Sequence, residues 1–222
     1  MLLALTHPGM RRSTYLYVVI GVIQACYLPF TSIVFRDRGV SLEVIGLLGA
    51  ANSLLALAAG PIWGHLADAV LGRVITFRLA LIASTAGVAL FAFGPFAGIP
   101  GAALGAFAGA GLVPLLDSIG MEHLAEHGGD WGPLRAMTSG SYALACIASG
   151  ALVATGGSLL IGPLYGAGAA ALLVGTAGLR VRGGFVRGRA HHHSAAEQRA
   201  ERDEYPGANA EIAVAGSWHE RF

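Results

Sequence analysis

Charged side chains divide this chain into stretches long enough to cross a bilayer. From Ser13 to Phe35 there is none, and at about 1.5 Å of rise per residue such a run crosses the ~30 Å hydrocarbon core as a helix. Arg36, Asp37, Arg38 and Glu43 then gather in a short polar loop. A second apolar run, Val44 to Leu66, ends at Asp68, and a third, Val74 to Phe93, follows Arg73 and carries Arg78 in its first turns. Gly94-Pro95 and Ile99-Pro100-Gly101 have the chemistry of loops. The fourth span is therefore placed at Gly101 to Met121, with Asp117 near its end. Glu122 to Arg135 reads as a polar loop. The uncharged run from Ala136 to Leu179 is too long for one span, and Gly156-Gly157-Ser158 divides it into two helices. The pattern predicts an all-α membrane protein with six transmembrane helices.

Composition strengthens this. Of the 222 residues 55% are hydrophobic and only 12% are charged, with a mean hydropathy of +0.63, whereas a soluble domain carries charge on about a quarter of its residues. The 33 glycines fit the same class, because small residues let membrane helices approach closely. A net charge of +1 with no basic patch argues against a nucleic-acid partner. The first span is preceded by Arg11 and Arg12 but is too long for a signal peptide, and Phe35-Arg36-Asp37 offers no small-residue cleavage site, so it reads as a retained helix.

Arginine bias sets the expected orientation. With the N-terminus inside, Arg11, Arg12, Arg73, Arg78, Arg135, Arg180, Arg182, Arg187 and Arg189 fall on the cytoplasmic side, and the outer loops hold only Arg36 and Arg38. The expected layout is a cytoplasmic segment over 1–12, a bundle over 13–180 and a cytoplasmic tail over 181–222, in an inner (plasma) membrane. The tail mixes Arg, Glu, His, Gly and Ala without apolar periodicity, which is the composition of a disordered segment. Within it His191-His192-His193 offers weak metal binding at most, with no carboxylate or cysteine at ligand spacing. No metal or cofactor is expected. Cys26 and Cys146 lie inside apolar runs and read as buried thiols. There is no HExxH, GxSxG or Walker loop, and no histidine in the last three spans, so an enzyme is not expected.

Between spans two and three stands Gly64-His65-Leu66-Ala67-Asp68-Ala69-Val70-Leu71-Gly72-Arg73. Gly64 suits a tight helix end, Gly72 a turn, and Asp68 and Arg73 a charge pair across the loop. This run resembles the first-loop signature of major facilitator superfamily transporters. Pro114-Leu115-Leu116-Asp117-Ser118, then Trp131-Gly132-Pro133-Leu134-Arg135 and Ser139, resemble the subgroup that holds the phenylpropionate permease and is related to sugar and nucleoside proton symporters. Leu28-Pro29-Phe30 and the loop from Gly39 to Gly46 also fit it. The resemblance implies half of that fold: two inverted three-helix repeats forming one bundle, with solute bound between this bundle and a second one near the midplane. The function it implies is alternating-access transport of a small organic solute, with proton coupling one form of it. The second bundle is open at this point: a homodimer, another chain, or the missing part of a truncated transporter. A membrane interaction subunit, or a decayed half that moves nothing alone, is the rival reading.

Asp117 is the most informative residue, since a carboxylate in a membrane helix needs a partner or a wet face. Arg135 is the expected partner, with Arg73 or Arg78 next, and the expected cytoplasmic gate network is Gly64, Asp68, Gly72, Arg73, Asp117 and Arg135. Gln24, Tyr27 and Asn52 are polar groups at mid-membrane depth, expected to line the solute path, although helix–helix hydrogen bonding accounts equally well for Asn52.

Overall fold

A computed structural model describes residues 10–93, 95–127, 130–177 and 179, and among them it is wholly helical, with no strand. Helix α1, Met10–Ala25, a 3-10 turn at Leu28–Phe30 and α2, Thr31–Asp37, make the first span. Helix α3, Leu42–His65, runs into a π-helical turn at Leu66–Val70 and makes the second. The third and fourth spans are α4, Arg73–Ala92, and α5, Pro95–His127. The fifth is α6, Trp131–Gly156, and the sixth is α7, Ile161–Thr176, preceded by a 3-10 turn at Ser158–Leu160. All six are long and apolar enough to cross a membrane. The expected tail, with His191, His192 and His193, lies outside the described residues.

The turns follow glycine chemistry. Gly39, Gly72 and Gly157 have φ of 80°, 81° and 78°, a region closed to most residues by their Cβ. Gly157 is therefore the break that separates spans five and six. The expected loop around Ile99-Pro100-Gly101 is not one, because α5 begins at Pro95 and runs through it. Gly101 explains why: a Cβ there would stand 2.5 Å from Phe91 N, so the glycine lets this turn pack on α4 and the packing carries the helix past the proline. The polar stretch Glu122 to Arg135 is likewise mostly helix, with α5 reaching His127 and α6 starting at Trp131. Charged residues mark the edge of the hydrocarbon, not the end of the helix.

Span one is broken for a stated reason. Pro29 has no N–H for the Ala25 carbonyl, and α1 ends there. Ser149 Oγ from α6 lies 3.1 Å from Ala25 O and shares its one proton between this carbonyl and Ala145 O of its own helix at 2.6 Å, so the backbone group freed inside the membrane has a polar partner.

Spans one and four each pack on two spans of the other half. Span one packs on five and six, span four on two and three, and spans three and six on each other. Exchanging spans one to three with four to six maps this pattern onto itself. Because each unit has an odd number of spans, the second runs opposite to the first, which is an inverted repeat. Burial follows the same exchange. The apolar 18-residue windows of spans one and four are 50% and 44% buried and those of two and five only 6% and 11%, while three and six differ more, at 50% and 28%. Span two is anchored through Trp63 and Ala59, its only buried described residues outside the π turn. Cys26 is buried and Cys146 half-buried, both as free thiols.

Candidate functional site

The loop signature forms a charge cluster at one end of the bundle. Arg73, the first residue of α4, reaches Asp68 at 3.6 Å and Glu122 of α5 at 3.6 Å, so one guanidinium ties the ends of spans two, three and four. Asp68 sits in the π turn that closes span two, a conformation that aims it back at Arg73. Gly72 makes the left-handed turn the motif requires. Gly64 does not end a helix: α3 continues through it, and a Cβ there would meet nothing within 4 Å. The side chains of Asp68 and Arg73 are 70% and 43% exposed, so the pair is a surface contact worth about 0–1 kcal/mol.

Asp117 has a partner that spacing did not reveal. Tyr17 of α1 donates to Asp117 Oδ1 at 2.9 Å. Among the described residues no ion pair joins Asp117 to Arg135, Arg73 or Arg78. Arg73 is held by Asp68 and Glu122, while Arg78 donates to Thr176 Oγ1 at 3.2 Å and to the Thr176 carbonyl. Gly120 makes room for the tyrosine, since a Cβ there would lie 2.6 Å from its hydroxyl. A phenol suits a carboxylate that changes its proton, because it donates to the anion and accepts from the acid.

Arginines also cap helices at both ends. Arg12 donates to Gly175 O at 2.9 Å, beside Arg78 on the C-terminal end of α7. At the opposite end Arg38 donates to Phe91 O and Ala92 O at 2.6 and 3.1 Å, with its guanidinium 5.2 Å from the Phe91 ring centre. Each cap answers the partial negative charge of a helix C-terminus, and the two capped helices, α4 and α7, are exchange partners. Burial pulls the Arg38 guanidinium down from its ordinary value.

The expected solute path is divided. A cavity of about 330 Å3 lies between spans one and five, lined by Gln24, Leu28, Arg135, Thr138, Ser139 and Tyr142. Gln24 is in it. Tyr27 is not: it is 6% exposed, with its ring 5.5 Å edge-on to Phe91 and 6.0 Å from Tyr165. The break after Ala25 turns position 27 away from position 24 and into the core. Tyr165 in turn shares a 2.7 Å hydrogen bond with Ser84. Asn52 is half-buried on α3 and is not among the residues that line this cavity. Tyr17, Glu122 and Tyr142 were not singled out by the sequence; a tyrosine or glutamate facing a neighbouring helix carries no local signature.

The chain matches the model of the MFS_1 like family over residues 11–203. No curated protein and no solved structure gives a match. The matched residues take in every described span, and the chain belongs to this family of the major facilitator superfamily, a multi-pass membrane protein of transporter type.

Proposed function

We propose that this chain forms one bundle of an alternating-access transporter that carries a small organic solute, driven by protons, across the inner (plasma) membrane with both termini in the cytoplasm. The observation that carries this reading is the pairing of an open polar cavity with two exchange-related spans that the bundle leaves uncovered. Spans two and five bury 6% and 11% of their apolar windows, and the cavity beside span five has Gln24 and Arg135 in its wall. A second six-helix bundle, from a second copy of this chain or from another chain, covers those spans and closes the cavity. The Asp68–Arg73–Glu122 cluster is the gate that breaks and reforms, and the Asp117–Tyr17 pair is the proton site.

Uptake into proteoliposomes holding the purified chain tests this, with aromatic acids, sugars and nucleosides offered with and without a proton gradient. Saturable, gradient-dependent uptake is the expected result. Asp117→Asn is expected to lower that uptake at unchanged membrane abundance. Absence of uptake from correctly inserted protein, alone and with a co-expressed six-helix partner, overturns the reading.

A further inference from the structure

We infer that the cavity between spans one and five binds a small organic anion, with Arg135 as the group that holds its charge. The inference deepens the transport reading by naming the solute class, and it rests on that reading for its physiological meaning.

Arg135 carries a charge with no ion-pair partner among the described residues. Arg135 is the fifth residue of α6 and half-buried. A guanidinium stays protonated in any protein setting, and a cation at the membrane face of a bundle is costly unless something neutralises it. No acid among the described residues forms an ion pair with it. Asp117 accepts from Tyr17, and Asp68 and Glu122 are engaged by Arg73. Asp130, the residue before α6, forms no ion pair with it. Among the described residues Arg135 makes neither an ion pair nor a hydrogen bond, whereas Arg12, Arg38, Arg73 and Arg78 do; Arg11 and Arg36 share the lack but are exposed, while Arg135 is half-buried.

Polar and apolar groups of two spans surround it. Arg135 lines the cavity of about 330 Å3 together with the Gln24 amide and the Ser139 hydroxyl, within the range of about 300–1,000 Å3 typical of small-molecule sites. Neither Gln24 nor Ser139 has a side-chain hydrogen bond to a described residue. Thr138, by contrast, is used structurally, donating to Tyr17 O at 3.0 Å. Leu28 and the Tyr142 ring supply apolar wall. A planar fork of N–H donors fits a carboxylate in two parallel bonds, with neutral donors beside it and apolar surface beyond. The matching ligand is a monocarboxylate on a short apolar body. A neutral sugar or nucleoside accepts hydrogen bonds from the guanidinium but leaves its charge unbalanced.

The test is equilibrium binding to the purified full chain in lipid nanodiscs, with benzoate, butyrate and 3-hydroxybutyrate, each against its uncharged amide. At least one carboxylate is expected to bind tenfold or more tightly than its amide. Arg135→Gln is expected to remove that preference by lowering carboxylate affinity tenfold, about 1.4 kcal/mol, without changing amide affinity. Arg135→Lys keeps the charge without the fork and is expected to retain a smaller preference, and Ser139→Ala a preference reduced in the same sense. No carboxylate binding, equal binding of acid and amide, or a preference that survives Arg135→Gln overturns the inference. The two readings fail separately: carboxylate binding without uptake sinks transport and keeps the anion site, and uptake of a neutral solute without carboxylate binding does the reverse.

Discussion

Glycine lines the inner pair of helices, α4 and α5, and the outer pair, α3 and α6, yet apart from Gly156, which abuts Leu160 at the end of α6, its surroundings differ. On the inner pair a Cβ at Gly87 would run into the backbone at Gly105, and one at Gly101 would stand 2.5 Å from Phe91 N. Here glycine is the contact itself, backbone on backbone, the arrangement by which membrane helices associate when hydrophobicity gives no drive between them. On the outer pair Gly46, Gly49, Gly60 and Gly64 of α3, and Gly132, Gly140 and Gly150 of α6, would meet nothing within 4 Å. Large apolar side chains there are open too, Leu57 and Ile147 at 75% each. One composition thus makes a closed seam in one place and an unpartnered face in the other, and the two unpartnered faces are exchange partners in the inverted repeat.

The sharpest break in this comparison is Trp63→Ala. Span two is held through the Trp63 ring, whose Nε1–H donates to Phe107 O at 2.9 Å and which fills the space left by Gly111. Truncation is expected to destabilise the bundle by about 3–5 kcal/mol, seen as a lower thermal midpoint in detergent. An unchanged midpoint would mean span two is held by something other than this anchor. Gly101→Leu comes next. It forces apart the backbones of α4 and α5 and is expected to cost about 1–3 kcal/mol as overpacking, read by the same melting measurement.

Tyr17→Phe removes the bond to Asp117 that ties span one to span four. The expected loss is about 1 kcal/mol, and uptake is expected to fall with it if the proposed proton site loses its partner. Full uptake with the tyrosine hydroxyl gone would leave Asp117 as a packing residue only. Arg73→Gln is expected to lie at about 0–1 kcal/mol in stability, since the pair is largely exposed. Its effect belongs in the uptake rate, and a change in melting without a change in rate would mark the cluster as structural.

How much of this was readable in the sequence depends on range. The six spans were legible because charge exclusion from hydrocarbon acts residue by residue, and Gly72, Gly157 and the Asp68–Arg73 pair because a turn and its charges are local. The start of the fourth span was misplaced because Pro100 is a local loop signal, while what overrides it, the contact of Gly101 with Phe91, comes from a different helix. Tyr27 looked like a neighbour of Gln24 on one helical face; the missing N–H of Pro29 breaks that face between them. Asp117 was recognised as needing a partner, but Tyr17 is a hundred residues away in sequence, and only the packing of span one on span four brings it there.

The smallest stability effect is the most telling for function. Gly60→Leu and Gly140→Leu place large side chains on the open faces of α3 and α6, where a Cβ meets nothing, so each is expected to change stability by less than about 0.5 kcal/mol. If lipid alone covers those faces, leucine is as acceptable there as in any lipid-facing position, and uptake stays at the parent level. If a second bundle packs on them, the added volume sits in a helix–helix seam and holds the bundles apart, and uptake is expected to fall at least tenfold, about 1.4 kcal/mol in barrier terms. The same substitution is then harmless to the fold and fatal to transport. That split separates a face awaiting lipid from one awaiting a partner, because the inner seam at Gly101 can only lose both together.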